Sequence, residues 1–223
     1  ARKVFMTHKK EKIQALSKQA KRKIQEKYSD ETDENIIANP IDSGFGAEGL
    51  FELKSDSISS PGFDDEFVRF FYPDMKEGAL PTIVLLHGYS GSDPQLFYPL
   101  IKHIVSRGNA VLFAPYPILP PADDVRNIMS KHRIVREGLA LGFEKFHTKI
   151  DTSRIGFFGQ SFGAGMLPAM AYHYYVEKKW GSQGACMFVS APWYLFDISD
   201  EELKQFPPHC KLIVQVYDHD EIN

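Results

Sequence analysis

Five β-rich apolar runs, at Thr82–His87, Ala110–Ala114, Arg154–Phe158, Ala185–Ser190 and Leu212–Tyr217, are each separated from the next by a stretch with helical patterning. Apolar runs without polar alternation form strands buried on both faces, and parallel neighbours need long crossovers of this kind. The helical stretches are Pro94–Ser106, Asp123–Phe146, Ser161–Glu177 and the shorter Asp200–Gln205. Two earlier runs, Leu50–Ser57 and Glu66–Tyr72, follow closely enough to pair as a hairpin. The pattern predicts one α/β domain over residues 41–223: a doubly wound, mostly parallel sheet with antiparallel first strands, enclosed by helices as a three-layer sandwich.

The chain's 43% hydrophobic content supports a sizeable core, and no stretch approaches the roughly 20 apolar residues that span a bilayer. Residues 1–30 carry ten Lys or Arg against three acids, a net +7 that leaves −10 for the rest of the chain. An acidic folded body argues against nucleic acid as a partner. Residues 1–40 are read as a basic helical arm, with Ile13, Leu16, Ala20 and Ile24 on one stripe. Such a helix is either a solvated linker or an interfacial element making weak contact with an anionic membrane surface. No apolar leader segment is visible, so the expected location is cytoplasmic.

Cys186 and Cys210, the only two cysteines, are too few for a disulfide scaffold or a multi-thiolate zinc site. They are expected to be free, buried thiols, with a single bridge between neighbouring strands as the alternative. Gly44-Phe45-Gly46-Ala47-Glu48-Gly49 has the spacing of a dinucleotide-binding loop, but an arm precedes it and a strand follows. The mechanism of that loop needs the reverse, a strand before and a helix after, so no organic cofactor and no metal is expected.

The most specific local signal is Arg154-Ile155-Gly156-Phe157-Phe158-Gly159-Gln160-Ser161-Phe162-Gly163, a buried strand running through a sharp turn into a helix. A serine on such a turn sits in strained backbone and needs small neighbours, which Gly159 and Gly163 supply. Its oxygen is lifted above the carboxyl end of the sheet, where the helix dipole favours developing negative charge. Ser161 is therefore expected to be a nucleophile; the alternative for a glycine-flanked serine here is a helix N-cap. Acyl transfer needs two backbone N–H groups aimed at the developing oxyanion. Phe162 supplies one, and the loop after His87-Gly88 supplies the other, from Tyr89. His87 lies too early in the strand order to be the base and is expected to orient that loop. The buried strand at Leu212–Tyr217 ends in acids, of which Asp220 is the candidate to hold a catalytic histidine, with Asp218 as the runner-up. A solvated acidic loop is the competing reading.

From about residue 45 onward the chain resembles the α/β-hydrolase superfamily. It is most similar to the branch of dienelactone hydrolases, platelet-activating-factor acetylhydrolases and cutinases. Asp151-Thr152-Ser153-Arg154-Ile155-Gly156 looks like that branch's lead-in to the serine, Gly88-Tyr89 like its oxyanion loop, and Ala191-Pro192-Trp193 like its segment after the sixth strand. The resemblance implies hydrolysis of a small-molecule or lipid-like carboxylic ester through an acyl-enzyme, with Trp193 against the substrate. A serine peptidase of the same superfamily, or a non-catalytic binding protein on this scaffold, are the alternatives. Gln160 stands where most relatives have His or Trp, which alters the pocket wall. The family's catalytic histidine follows an eighth strand, so the resemblance implies that the C-terminal strand and helix lie beyond Asn223. His103, His132, His147, His173 and His209 are expected to be surface or packing residues, and His219 adjoins the acid too closely to reach Ser161 as well.

Overall fold

The computed structural model describes residues 41–74, 78–118, 125–218 and 220; the predicted basic arm and His219 lie outside the described residues. Seven strands form one sheet: β1 (Leu53–Ser59), β2 (Phe67–Pro73), β3 (Leu80–Leu86), β4 (Ala110–Phe113), β5 (Ile150–Gln160), β6 (Gly184–Ser190) and β7 (Lys211–Gln215). Their order across the sheet is β1-β2-β4-β3-β5-β6-β7. The hairpin β1–β2 is antiparallel and β2 joins β4 antiparallel, while every pairing from β4 through β3, β5 and β6 to β7 is parallel. The helices are α1 (Tyr98–Ser106), α2 (Val125–Lys145), α3 (Phe162–Tyr172) and the single turn α4 (Asp200–Leu203). Each predicted apolar run is a strand, and the predicted helices are present with shifted ends. Residues 44–49 hold a short 3-10 turn at Gly44–Gly46 and lead into strand β1, not into a helix.

Strand residues alternate between two apolar layers, as the period-two pleat requires. Val68, Phe70, Val84, Leu86, Leu112, Ile155 and Phe157 face α2 and α3 in the larger layer. Phe71, Leu85, Val111 and Phe113 face the other way and pack with Ile101 and Val105 of α1. Helices therefore cover both sides of the central strands, giving three layers.

The apolar layer on the α1 side runs from Leu53 of β1 to Phe158 of β5 and includes no residue of β6 or β7, and this corrects two expectations. Cys186 of β6, on the face opposite buried Ala185 and Met187, is exposed rather than buried, although both cysteines are free as expected. The run at Leu212–Tyr217, expected as a buried strand, is exposed on both faces, with Leu212, Ile213 and Val214 each more than half accessible. Apolar β-branched composition reports strand formation, but burial depends on which elements arrive to cover it.

This difference is measurable by urea unfolding. Leu112→Ala, at a fully buried position in β4, is expected to destabilise by about 2–5 kcal/mol. Ile213→Ala on exposed β7 is expected to change stability by less than about 1 kcal/mol.

Candidate functional site

β5 carries the chain to Gln160, and the next residue, Ser161, has φ 51° and ψ −117°, a combination that L-residues avoid. Three backbone bonds hold it there. The Ser161 N–H donates to Ser190 O at 2.9 Å, extending the β5–β6 ladder, while Ser161 O accepts from Gly165 N–H at 3.0 Å and Trp193 N–H at 3.2 Å. Helix α3 begins at Phe162, and its first turn lies directly against the end of β3. A Cβ on Gly163 would fall 2.2 Å from Leu86 O and 2.5 Å from His87 O. Ser161 occupies the N-cap position of α3, but its side chain makes no capping hydrogen bond. The cap alternative therefore loses its physical basis.

The Phe162 amide, at the first position of α3, has no intrahelical acceptor. Its ring is buried among Tyr116 (5.3 Å between centroids), Trp193 (5.3 Å), Phe196 (5.4 Å) and, more distantly, Tyr89 (6.5 Å).

The loop after β3 is held by His87. This ring is fully buried and stacked 3.9 Å from Tyr116. Its Nδ1 donates to Gly88 O at 2.7 Å, and its Nε2 accepts the Tyr116 N–H at 3.2 Å. The Tyr116 hydroxyl in turn donates to His87 O at 3.0 Å. With both ring nitrogens engaged in holding backbone, His87 serves the loop, as its place in the strand order predicts. The loop then closes through Gly91 N–H to Gly88 O at 3.0 Å, with Ser90 at φ 68°. Gln160 lies over this loop, since a Cβ on Gly88 would come 2.2 Å from Gln160 Oε1. Tyr89 is half-buried beside it, and burial pushes its phenol pKa up.

Lys131 of α2 had no signal in the sequence. It is fully buried, with Nζ 5.3 Å from the Tyr89 ring centroid and 5.2 Å from that of Phe162. Ser130-Lys131-His132-Arg133 reads as a solvated helix face, and only the docking of α2 on the sheet turns Lys131 inward. The Lys131 amine thus stands beside the two residues whose amides are the oxyanion candidates.

The remaining candidates gather at the carboxyl edge of the parallel strands. Trp193, half-buried after β6, packs on Phe162. Ala191 N–H donates to Gln215 O at 2.8 Å, so the ends of β5, β6 and β7 are aligned. Asp220 follows β7 in a turn in which its N–H donates to Tyr217 O at 3.3 Å; it is half-buried, whereas Asp218 is exposed. The other described histidines stand elsewhere. His147 precedes β5 and His209 precedes β7, at the amino edge of the sheet, and His103 and His173 lie toward the far ends of α1 and α3. His132 is buried, with Nδ1 3.1 Å from Asp197 Oδ2. Its ring meets Phe196, which also packs on Phe162. Among the described residues, no group of three or more His, Cys, Asp or Glu side chains is arranged to hold a metal, and no helix is long and apolar enough to cross a membrane.

The fold recurs in solved structures. A brefeldin A esterase, described as a bacterial homologue of human hormone sensitive lipase, superposes with a TM-score of 0.54 at 16% identity, covering 82% of this chain and 48% of that one. Esterase B from Lactobacillus rhamnosis, inhibited by a tributyrin phosphonate, gives a TM-score of 0.52 at 18% identity, covering 81% and 57%. The chain has the α/β-hydrolase fold. It spans about half the length of these solved α/β-hydrolase structures. No protein-family model matches the chain, and no curated protein matches it in sequence.

Two measurements probe this region of the α/β-hydrolase domain. Gly163→Ala, whose added methyl meets backbone oxygen, is expected to cost about 3 kcal/mol in urea unfolding or to abolish folding. Burial lowers the His132 pKa, opposed by Asp197 and aided by Arg136. The unfolded chain therefore takes up a proton that the folded one resists, so stability should be full above about pH 6.5 and fall as the pH drops below it. His132→Gln should flatten that fall.

Proposed function

We propose that this chain carries the serine nucleophile of a carboxylic-ester hydrolase. The observation that carries the reading is the backbone of Ser161: a positive φ at a serine that caps nothing, wedged between β5 and α3. Strain of this kind persists only where the surroundings enforce it, and its result is a hydroxyl presented at the carboxyl edge of the sheet.

Ser161 Oγ attacks the ester carbonyl, and the Phe162 and Tyr89 amides stabilise the tetrahedral oxyanion. The alcohol leaves, and water then releases the acid from the acyl-enzyme. The proton goes to a histidine that is not among the described residues. Asp220 orients that histidine. Neighbouring strands lie about 4.8 Å apart, so β5 and β7 are separated by about 10 Å, enough for an imidazole to bridge the serine and the carboxylate. Trp193 and Tyr89 form an aromatic wall suited to acyl or aryl groups, Gln160 borders the loop side of the cleft, and the substrate is a small-molecule or lipid-like ester. The two esterase neighbours favour this chemistry over peptide cleavage, and the Gly88-Tyr89 loop favours the dienelactone hydrolase, acetylhydrolase and cutinase branch.

A non-catalytic binding protein on the same scaffold is the second reading. It is favoured by the engagement of both His87 nitrogens in holding backbone.

The full-length protein decides between them. A fluorophosphonate probe should label wild type at Ser161 and leave Ser161→Ala unlabelled; absence of labelling defeats the enzymatic reading. Asp220→Asn should reduce turnover of p-nitrophenyl butyrate roughly 10³–10⁴-fold, with Asp218→Asn nearly unaffected. The reverse order would move the orienting role to Asp218.

A further inference from the structure

Among the described residues, Lys131 of α2 is the only lysine, arginine, aspartate or glutamate that is buried. Taking an amine out of water is costly, and a methionine would fill the same volume without that cost. Solvent is within reach of the same helix turn, since the side chain of Arg133 is 64% exposed. Packing alone therefore does not account for a lysine turned inward at this position.

Its surroundings are specific. Nζ lies 5.3 Å from the centroid of the Tyr89 ring and 5.2 Å from that of Phe162, and the two centroids are 6.5 Å apart. The amine stands at the apex of a nearly symmetric triangle over the two rings, within the range at which an amine is attracted to an aromatic face. Tyr89 follows β3 and Phe162 opens α3, so α2 touches both segments at one point. Backbone contacts already join these segments on one side, where Gly163 lies against His87 O and His87 holds Gly88 O. Tyr89 is inside the turn that Gly91 N–H closes onto Gly88 O, and its amide points wherever that turn is rotated. A ring anchored from α2 fixes the rotation. Such precision matters for an oxyanion donor, because a misplacement of about 1 Å costs up to roughly 100-fold in rate.

We propose that Lys131 is a positioning residue: its amine, seated over the Tyr89 and Phe162 rings, fixes the spacing of the two backbone amides that stabilise the oxyanion. Lys131 acts through those rings and does not touch the substrate, since it is buried from solvent. The inference rests on the ester-hydrolase reading.

The test is turnover of p-nitrophenyl butyrate by the full-length protein, with active sites counted by fluorophosphonate labelling carried to completion. Lys131→Met should lower kcat per labelled site about tenfold and change KM less than about twofold, the mark of an interaction felt in the transition state. A merely structural lysine would lower the labelled fraction and leave kcat per site intact, as Leu112→Ala in the core is expected to do. A double-mutant cycle locates the effect. Once Tyr89→Leu has removed one ring, adding Lys131→Met should lower kcat less than about threefold further. If circular dichroism shows Lys131→Met unfolded, Lys131→Gln takes its place with the same expectations. Unchanged kcat per site, or an undiminished loss in the Tyr89→Leu background, overturns the positioning role and leaves the ester hydrolase standing. Absence of labelling and turnover in wild type overturns the ester-hydrolase reading, and the positioning role with it.

Discussion

The first turn of α3 can press against the end of β3 because Gly163 has no side chain: backbone oxygens of Leu86 and His87 occupy the space a methyl would need. That steric contact fixes where the helix starts relative to the sheet. With β5 ending at Gln160 and α3 starting at Phe162, a single residue must reverse the chain, and Ser161 does so at positive φ. The ladder bond from Ser161 to Ser190 and the bonds from Gly165 and Trp193 back to Ser161 offset the strain. The conformation is thus a consequence of close packing and not a local preference of serine.

The same contact links the serine turn to the loop after β3. His87, whose carbonyl lies against Gly163, also places Gly88 through its ring and receives Tyr116 twice, once from the amide and once from the hydroxyl. Two segments distant in sequence, 87–91 and 161–165, therefore share one backbone interface. Phe162, Tyr116, Trp193 and Phe196 complete an aromatic cluster beneath them. Phe162 and Tyr116 are buried in that cluster, and low-dielectric surroundings strengthen any charge interaction placed beside them. Lys131 lies against Phe162, which gives α2 a part in the site on its inner face.

Much of this was legible from residue order. Uninterrupted apolar runs joined by helical stretches implied the parallel sheet, and the close spacing of the first two runs implied the hairpin, because side-chain period and connection length are local properties. Gly159 and Gly163 around Ser161 implied the sharp turn for the same reason. The structural role of His87 followed from strand order alone. Burial was less legible. Cys186 and the β7 residues Leu212–Val214 look like core residues but lie where no described helix covers them, and a strand's own composition carries no record of its cover.

What the sequence by itself determined was the set of elements, their parallel sense and the glycine-flanked serine between the fifth strand and its helix. Only the tertiary structure decided which charged and titratable side chains went inward. Lys131 and His132 are buried by the docking of α2 on the sheet, and His132 meets Asp197 only when the segment after β6 brings it opposite. Each depends on contacts between residues far apart in the chain. Local patterning cannot encode such contacts, because the same charged helix would be fully solvated if nothing packed against it.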